Sequence, residues 1–309
     1  MKSTADILRS KVLNGWGLFL LLCSVMTAFN VLHMQEQDIT VPEGVSEMIG
    51  YSVRWAVPFI YIVVAISSLK ILFPGAVSNW LMKNRKYIGL VFAYAMAWQA
   101  VFIFILSTFY RDYYFSEVYY FRDEVEGSVG YIFLAAMVMT SFNFARKRIN
   151  SAQWSLIQKG GIYFLWAYPF SVYWWNLFYY PYQAGYSSPE LHDYVFYVLG
   201  FAAFVVRIFA WGKLRLKRLS KHGDSFELLS VQGASGVVLV AVGFFVSVSG
   251  HHWFSPVSAV LSSPTWSAEA ALWLPFWPLE PFFSLIIIAM GVMLITSGKG
   301  MSNLAEQKN

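Results

Sequence analysis

The chain has 309 residues, of which 58% are hydrophobic, 19% aromatic and only 13% charged, and its mean hydropathy is +0.52. A soluble globular domain carries about 25% charged residues, so this composition excludes that class and predicts an all-α, polytopic membrane helix bundle. The formal net charge of +5 does not indicate a nucleic-acid partner, because Lys and Arg lie in short loops, as topology signals do.

The N-terminal sequence MKSTADILRSK precedes an apolar run of roughly nineteen residues. This run is long for the apolar region of a secretory signal, and no convincing small-x-small cleavage site follows it. We therefore expect it to form the first transmembrane helix. It contains Cys23, the only cysteine of the chain, which excludes an internal disulfide and a thiolate cluster.

About eight apolar spans are predicted along the chain, each close to the ~20 residues that cross a hydrocarbon core. They cover residues 15–33, 53–73, 88–109, 129–145, 161–179, 194–211, 232–250 and 279–297. No internal repeat, low-complexity tract or soluble domain is visible between them.

The loops between these spans alternate in charge without a break. Most acidic residues lie in one set of loops, and basic residues lie before the first span and in every second loop after it. By the positive-inside rule, both termini are predicted to be cytoplasmic. The basic residues are Lys2, Arg9, Lys11, Lys83, Arg85, Lys86, Arg146, Lys147, Arg148, Lys159, Lys213, Arg215, Lys217, Arg218 and Lys221.

Two of the outer loops are rich in aromatic residues. The segment RDYYFSEVYYFRDEVEG, residues 111–127, alternates aromatic pairs with charges, which is typical of a segment lying along the membrane interface. The loop from His251 to Glu280 is rich in Trp and Pro, and we expect it to fold onto the membrane surface or into protein, because irregular backbone is not tolerated in lipid. A partner protein could dock there.

Few ionisable residues lie within the spans. Arg207 lies one turn from the cytoplasmic end of its span and can extend its guanidinium to the interface. Arg54, beside Trp55 at the outer start of span 2, is interpreted as an interfacial anchor. Glu280 is the one carboxylate placed to face a cavity, and no chain of buried acids leads inward from it, so a proton or ion path has little support.

Four histidines, His33, His192, His251 and His252, fall at the outer ends of spans 1, 6 and 7. Imidazole groups at one depth could bind copper, zinc or a haem iron. Interfacial histidines are common, however, and adjacent residues on a helix point about 100° apart, so His251 and His252 converge only if the helix ends there. Hydrolytic and nucleotide chemistry are unsupported, because no H-E-x-x-H, C-x-x-C, phosphate-loop or G-x-S-x-G motif occurs.

The most informative stretch is QKGGIYFLWAYPFSVYWW, from Gln158 to Trp175. Its polar residues Gln158 and Ser171 are thirteen positions apart, or ~20 Å along a helix. A membrane electron carrier could place two cofactor ligands at that separation, one near the cytoplasmic edge and one near mid-bilayer. Neither residue is a histidine.

From Trp16 to about Lys217, the order of features resembles the ferric-reductase-like transmembrane family, with the closest likeness to the haem-binding membrane subunit of the bacterial periplasmic methionine sulfoxide reductase system. The resemblance covers roughly two thirds of the chain. It rests on the first apolar span with its acidic outer loop and on the segments IGYSVRWAVPFIYIVVAISSLK, RKYIGLVFAYAMAWQAVFIF, VGYIFLAAMVMTSFNFARKR and WSLIQKGGIYFLWAYPFSVYWW. It implies a six-helix domain over residues 1–218 and a bacterial inner-membrane location. The two additional transmembrane helices predicted over residues 219–309, with their long Trp- and Pro-rich outer loop, lie outside the resemblance.

In that family, histidines hold haem irons between two helices. The resemblance places the family's ligand positions at Gln99, Gln158 and Ser171, and a carboxamide or a hydroxyl is a poor ligand for haem iron. We therefore predict that these three positions do not bind haem, that no cofactor is held there, and that Gln99 and Ser171 find hydrogen-bond partners, with each other as one possibility.

Large aromatic residues lie near these positions in the sequence. Since protein interiors are close-packed, we predict that the rings fill the volume that a haem would occupy. The alternative is an open pocket in which a quinone, lipid or pigment stacks on the rings. The rings are Trp98, Trp166, Tyr168, Phe170, Tyr173 and Trp174.

The favoured hypothesis is a non-catalytic, haem-less membrane protein that acts as a structural, assembly or docking subunit among other membrane subunits in the lipid bilayer. One alternative is a redox subunit that binds haem, quinone or metal through other ligands. Another is a transporter or lipid-handling protein, which the absence of inverted repeats and paired Gly/Pro-broken helices disfavours.

Overall fold

The computed structural model of the chain describes residues 8–186, 188–221, 230–262 and 279–297. These residues form helices and their connections, with no β-strand among them, which confirms the predicted all-α class. The longest helices of the described ranges, numbered in chain order, are α1 (Trp16–Glu36), α2 (Pro42–Leu72), α3 (Ala76–Phe109), α4 (Phe121–Thr140), α5 (Ser151–Phe178), α6 (Leu191–Lys221), α7 (Val231–Val248), α8 (Gly250–Ser262) and α9 (Phe283–Ile295).

Each predicted apolar span overlaps at least one of these helices, but α2, α3, α4 and α5 begin at residues 42, 76, 121 and 151, well before their spans at 53, 88, 129 and 161. The first turn of α4 contains Asp123 and Glu124, where acidic side chains interact favourably with the positive end of the helix dipole. The first turns of α4 and α5 are polar, so a criterion based on apolarity alone misses both.

The start of α5 is fixed by a reciprocal capping arrangement. The Asn150 side chain accepts a hydrogen bond from the Gln153 amide at 2.8 Å, and the Gln153 side chain accepts one from the Asn150 amide at 3.0 Å. These bonds satisfy two of the backbone donors that a helix leaves unpaired at its N-terminus. Gln158 is therefore two turns inside a helix rather than at its beginning.

The segment from His251 to Glu280 is predicted to be an irregular loop. This prediction is wrong for its first part, because Gly250–Ser262 forms the helix α8. The predicted interfacial segment 111–127 begins with a single helical turn, continues as a π-helical turn over Tyr114–Val118, and then enters α4. The rest of the Trp- and Pro-rich loop lies outside the described residues, including Pro264, Trp266, Trp273, Pro275, Trp277 and Pro278.

Five of the described helices, α1, α2, α3, α6 and α7, are long and apolar enough to cross a membrane, as in a multi-pass membrane protein. The helical segment Glu280–Ile295 is apolar but shorter. The helices α4 and α5 are not among these five. The α4 helix begins with several charged residues, and α5 is rich in Tyr and Trp, which are less apolar than aliphatic residues.

The chain divides into two compact units, one formed by residues 1–66 and 75–167 and the other by residues 67–74 and 168–309. The boundaries fall within α2 and α5. The expected division near residue 218 stays a prediction, and the α6 helix that precedes it packs on α9 in the second unit.

In the first unit, a buried amide joins the start of α1 to α3. Asn84 is fully buried, accepts a hydrogen bond from the Gly15 amide at 2.9 Å and donates one to the Asn14 side chain at 3.2 Å. Gly15 has a φ of +62°, a backbone conformation that costs glycine little and other residues more. The Trp80 indole on α3 donates a second hydrogen bond to the segment before α1, to the Leu13 carbonyl at 2.8 Å.

In the second unit, α7 and α9 approach through glycines. A Cβ atom on Gly291 would lie 2.7 Å from the Gly236 carbonyl oxygen, and a Cβ atom on Gly236 would lie 2.7 Å from the Gly291 carbonyl oxygen. Farther along the pair, a Cβ atom on Gly243 would lie 2.5 Å from Ile288. Small residues of this kind let helix backbones pack closely where lipid gives no hydrophobic drive for association.

We expect Gly236→Ala or Gly291→Ala to destabilise the second unit by about 1–3 kcal/mol, because the added methyl group meets backbone atoms that have little room to move. The measurement is the thermal unfolding midpoint of the purified protein in detergent. Gly50→Ala is the control, because a Cβ atom on Gly50 meets no atom within 4 Å. Wild-type midpoints for both test variants would contradict close packing at this helix pair.

Candidate functional site

Gln99 lies in α3 and accepts a hydrogen bond across the first unit. The Tyr131 hydroxyl, on α4, donates to the Gln99 side-chain oxygen at 2.8 Å and lies 3.1 Å from the Met96 carbonyl oxygen. The amide thus has a partner within the protein, which an apolar lipid environment would not supply. Tyr131 is the partner that the sequence analysis did not identify.

Gln158 lies on α5 and closes the end of α4. Its side-chain nitrogen donates to the Met137 carbonyl and to the Thr140 hydroxyl, both at 3.1 Å. One turn earlier, the Trp154 indole donates to the Thr140 carbonyl at 3.2 Å. The last carbonyls of a helix lack intrahelical partners, so Trp154 supplies a donor at Thr140, whereas Gln158 adds a bond from α5 to the Met137 carbonyl, which also accepts from the Ser141 amide at 3.1 Å.

Ser171 lies on α5 in the second unit and is 9% exposed. Its hydroxyl donates to the Tyr168 carbonyl of the same helix at 2.8 Å. Pro169, one turn before Tyr173, lies inside this helix and removes one backbone donor there. Gln99 and Ser171 each have a hydrogen-bond partner inside their own unit.

The groups at Gln99, Gln158 and Ser171 do not fit a haem iron. Haem iron in proteins takes His, Met, Cys or Tyr as its axial ligand, and these positions supply two carboxamides and one hydroxyl. Each side chain is engaged in a hydrogen bond within the protein.

The rings expected around these positions are packed in protein to different degrees. In the first unit, Trp98 is half-buried and stacks on Phe102 with ring centroids 6.0 Å apart, whereas Trp166 is buried. In the second unit, Phe170 and Trp174 are fully buried. That these rings fill a volume suited to a haem stays a prediction.

The second unit contains a continuous aromatic cluster around α5. Phe170 stacks on Tyr197 at 5.6 Å between centroids, and Trp174 contacts Trp253 at 5.7 Å. The Tyr197 hydroxyl donates to the Ser247 carbonyl at 2.6 Å, so this buried ring also has a partner for its polar end. The cluster unites residues of α5, α6 and α8.

A cavity of about 340 Å³ lies in the first unit, between α2, α3, α4 and the start of α5. Its volume lies within the ~300–1,000 Å³ of small-molecule sites. Gln158 lies in its wall, so the protein is not filled by rings at this end. The lining residues are Ile60, Val63, Arg85, Lys86, Gly89, Leu90, Phe92, Leu134, Met137, Val138, Thr140, Ser141, Asn143, Arg146, Trp154, Gln158 and Ile162.

Three of these lining residues are cationic, and no carboxylate is among those that the structure describes. Arg146 is held in place by the Ile149 carbonyl at 3.1 Å and by the Trp154 ring at 5.2 Å. Lys86 lies 4.3 Å from the centroid of the Phe142 ring. Arg85 lines the same cavity one residue earlier on α3.

The histidines proposed as metal ligands have other neighbours. His33 approaches Glu36 at 3.1 Å and stacks on Tyr51, with the ring centroids 3.9 Å apart. In the second unit, His192 lies 3.2 Å from Glu190 and 3.6 Å from Asp193.

His251 and His252 lie side by side although both belong to the first turn of α8, so the condition that the helix ends there is not met. Their ring centroids are 3.6 Å apart, and His251 also stacks on Tyr182. Across the described ranges, no group of three or more His, Cys, Asp or Glu side chains is arranged to hold a metal ion. A metal site at the four histidines stays a prediction.

Arg54 is predicted to be an interfacial anchor, and Glu280 is predicted to face a cavity. Arg54 lies 3.9 Å from Glu47, and both side chains are partly exposed, as at an interface. Glu280 is 1% exposed, so its carboxyl group is enclosed by protein rather than facing a wide opening.

Comparisons with protein-family models, with curated proteins and with solved structures give no match for this chain.

We expect Tyr131→Phe to lower the free energy of unfolding by about 0.6 kcal/mol, a typical value for a hydrogen bond in a membrane bundle, because Gln99 loses its donor. The measurement is reversible unfolding in mixed micelles. Tyr120→Phe is the control, since Tyr120 is exposed just before α4. Equal stability of the two variants would contradict a structural role for the bond.

Proposed function

We propose that this chain is a non-catalytic, haem-less relative of the ferric-reductase-like membrane proteins and acts as a structural, assembly or docking subunit of a larger complex in the bacterial inner membrane. In this proposal, the chain crosses the membrane about eight times, with both termini in the cytoplasm. Its partners are other membrane protein subunits.

The observation that carries the proposal is the use made of Gln99, Gln158 and Ser171. Gln99 pairs with a tyrosine, Gln158 caps a neighbouring helix and Ser171 bonds its own helix backbone. Side chains employed in this way support folding rather than electron transfer. The positions at which the resemblance implies redox ligands thus favour a scaffold.

The proposed topology is supported by the charge pattern together with the helices. From Met48 to Arg111 and again from Gly127 to Pro189, the sequence has no Asp or Glu, while the first stretch has basic residues in the N-terminal third of α3 and the second has a basic cluster between α4 and α5. Short basic loops remain on the cytoplasmic side of a membrane. The arrangement supports a cytoplasmic position for the α2–α3 and α4–α5 connections.

A scaffold subunit should be recovered with its partners. We expect the full-length chain, purified in a mild detergent from the cells that naturally contain it, to bring down one or more membrane proteins in fixed stoichiometry by mass spectrometry. The control is the same purification after exchange into a harsh detergent, which should separate them. Recovery of the chain alone in the mild detergent, from membranes in which it is abundant, would contradict the proposal.

A further inference from the structure

We propose that the cavity between α2, α3, α4 and α5 is a binding site for a phospholipid with an anionic, phosphate-bearing head group. The site does not depend on the scaffold role proposed above. The inference rests on the chemistry of the cavity wall, which changes from cationic at one end to apolar at the other.

The cationic end is formed by Arg85, Lys86 and Arg146. A phosphodiester carries negative charge and several acceptor oxygens, and guanidinium and ammonium groups are its usual protein partners. The described wall contains these three cationic side chains and no carboxylate, so opposite charge in the ligand interacts favourably with it. The wall therefore selects an anion over a neutral ligand such as a quinone.

The apolar part of the cavity favours a lipid rather than a free phosphate ion. Buried aliphatic side chains of α2, α4 and α5 form the wall away from the cations, among them Ile60, Leu134 and Ile162. A free phosphate would leave this surface in contact with water, whereas an acyl chain would cover it. Only an amphiphile satisfies both halves of the wall.

The mouth of the cavity has features of the membrane interface. Lys86 and Trp154 are exposed there, and Trp prefers the level of the lipid head groups. In the proposed topology this end faces the cytoplasm, and basic pockets between transmembrane helices on that side bind anionic lipid head groups. The occupant would thus enter from the adjoining leaflet.

The first test compares ligands on the full-length protein after removal of native lipid in a mild detergent. Dioleoyl phosphatidylglycerol, dioleoyl phosphatidylcholine and inorganic phosphate are added separately, and bound lipid is measured by native mass spectrometry together with the thermal unfolding midpoint. We expect phosphatidylglycerol to bind and raise the midpoint, and phosphatidylcholine with the same chains to bind far more weakly. Equal binding of the two lipids, or equal stabilisation by inorganic phosphate, would overturn the proposal.

The second test removes two charges from the cavity. Lys86→Gln with Arg146→Gln should weaken phosphatidylglycerol binding about thirtyfold, at the usual contribution of a basic residue near anionic lipid. Lys83→Gln with Lys147→Gln removes the same charge from exposed positions outside the cavity wall and should change binding less than threefold. Equal weakening by the two pairs would overturn a defined site in favour of general surface charge.

Because Arg146 also holds the α4–α5 connection, a third variant leaves all the charges in place. Gly89 lines the cavity, and a Cβ atom there meets no atom within 4 Å, so Gly89→Leu places its side chain in open space. We expect the midpoint without lipid to be unchanged or higher and phosphatidylglycerol binding to be lost, with Gly50→Leu as the control. Wild-type binding by Gly89→Leu would overturn the site.

Discussion

A polar group inside an apolar helix bundle must find its partner within the protein, because lipid offers no hydrogen bonds. This constraint explains the positions of several polar side chains. Asn84 joins α1 to α3, Tyr131 pairs with Gln99, and Gln158 and Trp154 supply donors to the last carbonyls of α4. These bonds connect neighbouring helices, so they set which helices of the first unit lie together.

The same constraint gives a reason for the amide at Gln158. An amide can donate two hydrogen bonds at once to the end of α4, and the Met137 carbonyl and the Thr140 hydroxyl receive them. A histidine ligand would have one ring nitrogen bound to iron and could offer only the other. Gln158 also lies in the wall of the cavity that Arg85, Lys86 and Arg146 line.

The all-α class and the order of the helices could be predicted from apolarity and length alone. The starts of α4 and α5 could not, because polar first turns are helical for reasons of capping, although the Asn150 and Gln153 pattern is a signal that would have located α5. The partner of Gln99 and the role of Gln158 depend on side chains far away in the sequence. The basic residues of the cavity were recognisable as topology signals, but their convergence on one cavity is a property of the folded chain.

The central claim is that amide and hydroxyl groups at Gln99, Gln158 and Ser171 serve the fold and leave this protein without a haem. The most direct test is the visible absorption spectrum of the full-length chain, purified in mild detergent from cells supplied with a haem precursor, in its oxidised and reduced states. The account predicts no Soret band above that of a mock purification. A Soret band of stoichiometric intensity that shifts on reduction would contradict it.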